Sequence, residues 1–160
     1  MIYYYSLLDK KLLGKVESLQ KRCIRNVALK PFKAHTEPIF KELNVLKCSD
    51  KIAFSQSVFM HQYRNKKLPI SFSDIFTDIT NTDERQTRHN DYNYINKPAL
   101  KSYLEKFPYK KFIANWNSLS IDLKSTADSA EFQQILKDNF LANYNHANIC
   151  LGPCYSCGTT

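Results

Sequence analysis

Apolar residues recur at steps of three and four from Ser6 onward: Leu7, Leu8, Leu12, Val16, Leu19, Cys23, Ile24 and Val27 fall on one stripe, the periodicity of an amphipathic helix. Its other face carries Lys10, Lys11, Lys15, Lys21, Arg22 and Arg25 against only Asp9 and Glu17, so the helix is strongly basic. Pro31 is expected to stop it.

Downstream, Thr36-Glu37-Pro38 reads as an N-cap followed by acid and proline in a first turn, where a missing amide is tolerated and negative charge suits the helix dipole. A short helix to about Leu43 is predicted. Ser49 or Asp50 should cap a further helix with Ile52, Val58, Phe59 and Tyr63 on its apolar face, ending before the basic run Arg64, Lys66, Lys67 and Pro69. Between Thr77 and Asn96 the chain is rich in Asn, Asp, Thr and charge, which predicts a long surface loop. After Pro98 come a predicted short helix around Leu100 to Leu104 and an aromatic segment through Tyr109, Phe112 and Trp116. A capped last helix from about Ser129 to Tyr144 follows, with Phe132, Ile135, Leu136 and Phe140 inward. At helical spacing the aromatic segment reads as core more readily than as a stacking platform for bases. No stretch alternates with period two over a useful length, and no internal repeat stands out. The chain is predicted to be mostly α: an irregular helical domain over residues 1–144 with a long polar loop, then a Cys- and His-bearing tail over 145–160.

Composition supports an ordered chain. With 160 residues, 43% hydrophobic and 13% aromatic content and only 3 glycines, it is long enough to bury most of its unfolded surface in one core. The net charge of +8 and pI near 9.2 favour a polyanionic partner, because each neutralised phosphate releases a condensed counterion. A positive excess kept for solubility is the plainer reading of the same number. Five cysteines do not pair evenly and no signal segment opens the chain, so reduced thiols and an intracellular location, cytoplasmic or nuclear, are expected. No apolar run approaches the ~18 residues of a membrane span.

The search for chemistry is mostly negative. Polynucleotide synthesis needs carboxylates that hold divalent ions at the primer end, and the chain contains no Asp-Asp doublet; Asp83-Glu84 lies in the polar stretch and reads as solvated surface. Glycine-rich phosphate loops, Gly-x-Ser-x-Gly and His-Glu-x-x-His are missing from the sequence. His35 and His61 have no neighbouring cysteine and read as surface or core histidines, not as bases. Cys23 and Cys48 fall within apolar helical patterns and read as small buried hydrophobes. The one metal-like cluster is His146, Cys150, Cys154 and Cys157, with a Gly152-Pro153 turn between two of its members. Its ligand types suit a structural zinc; its middle spacing is shorter than compact zinc knuckles use, and a reduced tail without metal is the other reading.

Several strings in order along the chain form a larger pattern: Leu19-Gln20-Lys21-Arg22-Cys23-Ile24-Arg25, Ala34-His35-Thr36-Glu37-Pro38-Ile39-Phe40-Lys41-Glu42-Leu43, Phe59-Met60-His61-Gln62-Tyr63, Leu68-Pro69, Thr87-Arg88, Trp116-Asn117-Ser118-Leu119, and the stretch Phe132 to Tyr144 before the Cys-bearing tail. Together they resemble the region after the polymerase palm in jockey-like non-LTR retrotransposon reverse transcriptases. The sequence departs from that pattern at Leu119-Ser120, where the family usually has a leucine-proline pair. The resemblance implies thumb and post-thumb helices that pack beside a template-primer duplex. It does not imply polymerase activity, since the family's catalytic aspartates would lie upstream of Met1; the chain is expected to be a palm-less piece of such an enzyme and not itself an enzyme. Sequence-tolerant binding of RNA or DNA is the expected capacity, through Lys15, Lys21, Arg22 and Arg25 of the first helix and the run Arg64, Lys66 and Lys67. An upstream polymerase region is a further expected partner. The alternative is a small helical protein-interaction module, with or without a stabilising zinc.

Overall fold

In a computed structural model the described residues are 10–72, 76, 92–95 and 108–144. They are mostly helical, with no strand among them: α1 Lys10–Val27, α2 Thr36–Glu42, α3 Cys48–Arg64, α4 Pro108–Asn117, α5 Ile121–Ser125 and α6 Ser129–Ala142, plus a 3-10 turn at Ile70–Phe72. The predicted helix around Leu100 to Leu104, most of the predicted polar loop and the Cys-bearing tail lie outside the described residues. Two compact units are present: an N-terminal unit of Leu8–Lys51 with Lys137–Thr160, and a central unit of Met1–Leu7 with Ile52–Leu136.

In the N-terminal unit, α1 and α2 enclose Ile24, Ala34, Ile39, Phe40 and Leu46, joined by Leu141 and Tyr144. Gln20 ties the unit together through both ends of its amide. Nε2 donates to Leu46 O at 3.0 Å and Oε1 accepts from Cys48 N at 2.9 Å, so the side chain satisfies an otherwise open amide at the start of α3. Tyr144 performs a similar service: its hydroxyl accepts from Lys47 N at 3.0 Å and donates to the Asp50 carboxylate. Lys47 in turn pairs with Glu37 at 2.6 Å and lies 4.5 Å from the Tyr144 ring centroid.

The ends of α1, α2 and α3 share one device. Leu29, Asn44 and Lys66 take positive φ of 52°, 54° and 54°. In each case that residue's amide bonds to the carbonyl three back, and the next amide bonds to the carbonyl five back: Lys30 to Arg25, Val45 to Phe40 and Lys67 to Gln62, all at 2.9 Å. This is the Schellman closure, which satisfies carbonyls left open at a helix end and usually employs glycine. The 3 glycines of the chain stand elsewhere, so leucine, asparagine and lysine bear the left-handed strain. The first helix therefore ends at Val27, before Pro31 is reached.

α2 begins one residue earlier than the Thr36 cap predicts. His35 occupies the cap with extended backbone and Thr36 is already helical and buried. Pro38 then sits third in the helix, where its missing amide costs no hydrogen bond.

The central unit is aromatic. Phe59 packs edge-on against Phe112, Phe72 and Phe76 at 5.3, 5.7 and 6.4 Å, and Trp116 lies 6.1 Å from Phe132. Tertiary packing overrides the predicted inward face of α3: Phe54, Gln56, Ser57, Met60 and His61 are buried, while Ile52, Val58, Phe59 and Tyr63 are half-buried. Three polar residues are tolerated inside because each finds a partner for at least one polar atom, while Gln56 Nε2 is buried with none among the described residues. Ser57 Oγ donates to Ala53 O, Gln56 Oε1 accepts from Asn115 Nδ2, and His61 Nε2 donates to Thr126 O at 2.8 Å with its ring stacked on Phe132 at 4.2 Å. α6 is capped by Asp128, whose Oδ2 accepts from Glu131 N at 2.9 Å, an N-cap to third-residue bond. Phe132 and Leu136 point inward as predicted; Ile135 is exposed and Phe140 half-buried.

Candidate nucleic-acid interface

The periodicity of α1 has a simple angular consequence. At 100° per residue, Leu13, Glu17, Gln20 and Ile24 share one edge, and this is the edge held by the N-terminal unit: Ile24 is buried and the other three are half-buried. The stripe of Leu12, Val16, Leu19, Cys23 and Val27 is exposed, Leu19 at 58%. Cys23 is thus not the buried hydrophobe its pattern predicts. Cys48 is half-buried, and burial followed by the neighbouring Glu17 charge raises its thiol pKa.

Beside that open stripe lies the basic arc. Lys11, Lys15, Lys21 and Arg22 are exposed, and among the described residues no carboxylate pairs with them. Arg25 belongs to the fold: it is half-buried, its Nε donates to Ala34 O at 2.8 Å, and its guanidinium lies 5.8 Å from the Phe32 ring centroid. Of the four sequence candidates on this helix, three remain on the open face.

A second surface is built in the central unit around the run Arg64, Lys66 and Lys67. Arg64 is half-buried with its guanidinium 4.3 Å from the centroid of the Tyr92 ring. Lys66 and Lys67 are exposed at the end of α3, and the Lys67 charge helps depress the Asp128 carboxyl pKa, after the backbone amide of Glu131. A cavity of about 680 Å³ opens here, lined by Tyr63, Arg64, Lys66, Leu68, Phe72 and Tyr94 among others.

Trp116, Asn117 and Lys124 explain how residues 92–94 come to face α3. Trp116 Nε1 donates to Tyr92 O at 2.7 Å. The Asn117 amide pairs with both backbone groups of Tyr94, accepting from N at 3.1 Å and donating to O at 2.9 Å. Lys124 Nζ donates to Asn93 Oδ1 and Asn117 O, both at 2.9 Å. That amine is buried, no carboxylate among the described residues pairs with it, and burial lowers its pKa. Sequence reasoning missed Tyr92, Tyr94, Asn117 and Lys124 as a unit. The available signal was the period-two spacing of Tyr92 and Tyr94 inside an otherwise polar stretch.

His146, Cys150, Cys154 and Cys157 lie outside the described residues, as does the side chain of Tyr109. Among the described residues no group of three or more His, Cys, Asp or Glu is placed to hold a metal ion, and no helix is long and apolar enough to cross a membrane. No family model, no curated protein and no solved structure matches this chain.

Proposed function

We propose that this chain is a nucleic-acid-binding helical element from the post-palm region of a non-LTR retrotransposon reverse transcriptase, gripping RNA or DNA without reading sequence and performing no catalysis itself. The family part of the reading rests on the ordered strings from Leu19 to Tyr144. The binding part rests on one observation: the arc Lys11, Lys15, Lys21 and Arg22 is exposed and unneutralised among the described residues. Cations presented in this way at helical spacing meet successive phosphates, and release of counterions supplies affinity that is indifferent to base identity.

The test is a salt titration of RNA binding. Converting Lys15, Lys21 and Arg22 to glutamine keeps helix propensity while removing charge. Each lost phosphate contact should reduce the slope of log affinity against log salt by roughly one unit. An unchanged slope in a variant of unchanged helicity removes α1 from the interface.

A second reading is favoured by the open stripe Leu12, Val16, Leu19, Cys23 and Val27. Contiguous exposed apolar surface marks interaction sites, and a basic flank suits an amphipathic partner helix of acidic character. On this reading Leu12→Gln with Leu19→Gln would abolish partner binding and leave the salt dependence with RNA unaltered.

A further inference from the structure

We infer that the cavity between the end of α3 and residues 92–94 receives one unpaired base of a single-stranded nucleic acid, with the adjoining phosphate held by Arg64 and Lys66. The inference deepens the nucleic-acid reading and rests on it, but it concerns a different surface from α1 and a different physical interaction.

The occupant follows from the shape and chemistry of the lining. A volume of about 680 Å³ lies within the range of small-molecule sites, roughly 300–1,000 Å³, and has room for a nucleobase. Three aromatic rings line it: Tyr63, Phe72 and Tyr94. Tyr63 meets Tyr94 at 5.8 Å and Phe76 at 4.8 Å, both edge-on, and Phe72 is held separately by an edge contact with Phe59 at 5.7 Å. Leu68 and Ile70 complete the apolar part, Arg64 and Lys66 supply positive charge, and no carboxylate lines the cavity among the described residues. A purely apolar ligand would not meet the charge that Lys66 and Arg64 bring to the rim, and a simple anion would not meet the aromatic surface. A heteroaromatic ring joined to a phosphate engages both.

The cavity is also framed before any ligand arrives. Trp116, Asn117 and Lys124 fasten residues 92–94 through four hydrogen bonds of 2.7–3.1 Å, and Lys124 is itself tied to Asn117 O at 2.9 Å, so the ordering cost of that wall falls on folding and not on binding. A paired base has its face covered by stacked neighbours, which is why the site is assigned to single strands and not to a duplex.

The experiment compares three probes of equal length at one salt concentration: a single-stranded oligouridine, the same backbone with abasic sugars, and a paired duplex. The base-bearing single strand should bind roughly tenfold more tightly than the abasic strand, within the range of one base-aromatic stack. Uridine monophosphate in excess should erode that difference, which separates cavity occupancy from backbone contact. Tyr94→Leu should abolish the difference. Because Tyr94 is buried, Ile70→Glu provides a second variant: Ile70 is 90% exposed at the rim, so a carboxylate there repels phosphate without disturbing the core, and the preference should again fall. Equal binding of base-bearing and abasic strands, with the salt slope of α1 intact, overturns the cavity assignment while leaving the nucleic-acid reading in place. Failure of all three probes to bind overturns both.

Discussion

The two units handle polar and apolar surface in opposite ways. The central unit draws His61, Gln56, Ser57 and Lys124 inside and gives each at least one named partner, with Gln56 Nε2 left unmatched among the described residues, whereas in the N-terminal unit α1 is held along one edge and leaves five apolar side chains on the outside. Burial of a polar group is tolerable when its hydrogen bonds are made, and a well-satisfied network locks one geometry. An exposed apolar stripe locks nothing. The central unit is thus locked around its cavity, whereas α1 keeps an open face.

The largest expected effect tests the locked side of this contrast. Trp116 is fully buried, touches Phe132 and anchors Tyr92 O; Trp116→Ala should cost about 3–5 kcal/mol in denaturant unfolding. A loss below about 1 kcal/mol would mean that the wall at residues 92–94 is not held as described.

Tyr144 in the N-terminal unit comes next. Tyr144→Phe removes the acceptor of Lys47 N and the donor to Asp50, leaving a backbone amide unmatched, and should cost about 1–3 kcal/mol. The substitution also has a signature in pH. Burial first, and then the Asp50 carboxylate, push the phenol pKa well above its ordinary value of 10.0. The folded state therefore keeps a proton that the unfolded chain releases, and the associated stability is full below pH 10.0 and falls as pH rises beyond it. That component of the alkaline decline should vanish in Tyr144→Phe, as thermal melts across the range would show.

Smaller and of opposite sign is Leu29→Gly. Leu29 is 91% exposed, so truncation loses almost no packing, while relief of the left-handed strain at φ 52° should raise stability by about 1 kcal/mol. The smallest effect is expected at the open stripe itself. Leu19→Gln should change stability by less than about 0.5 kcal/mol; a loss of several times that would show that α1 buries this face in solution and would dissolve the contrast between the units.

Local chemistry made much of the helical layout legible. The stretches around Val16, Ile39, Val58 and Phe132 announce themselves by spacing; the last three end within a residue or two of where the sequence places them, while the first stops at Val27, short of Pro31. The short helix Ile121–Ser125 was not legible, since five residues carry too little periodicity. The candidate site was legible only in its charges. Lys15, Lys21, Arg22, Lys66 and Lys67 are exposed on helix faces or ends, as their positions suggest, but Arg25 is drawn into the fold by Ala34 O.

What the sequence determines by itself is helical periodicity, the excess of positive charge and its concentration on α1, because these depend on residues three or four apart on one element. Tertiary structure alone decided which edge of α1 is held, why His61 is core, and how Arg64 acquires Tyr92 beneath it. Those outcomes depend on partners far away in the chain: Thr126 lies 65 residues from His61, and Asn117 lies 23 from Tyr94. A side chain's pattern shows that it can be buried; which neighbour meets it, and whether its polar atoms are satisfied there, is settled only when distant segments are packed together.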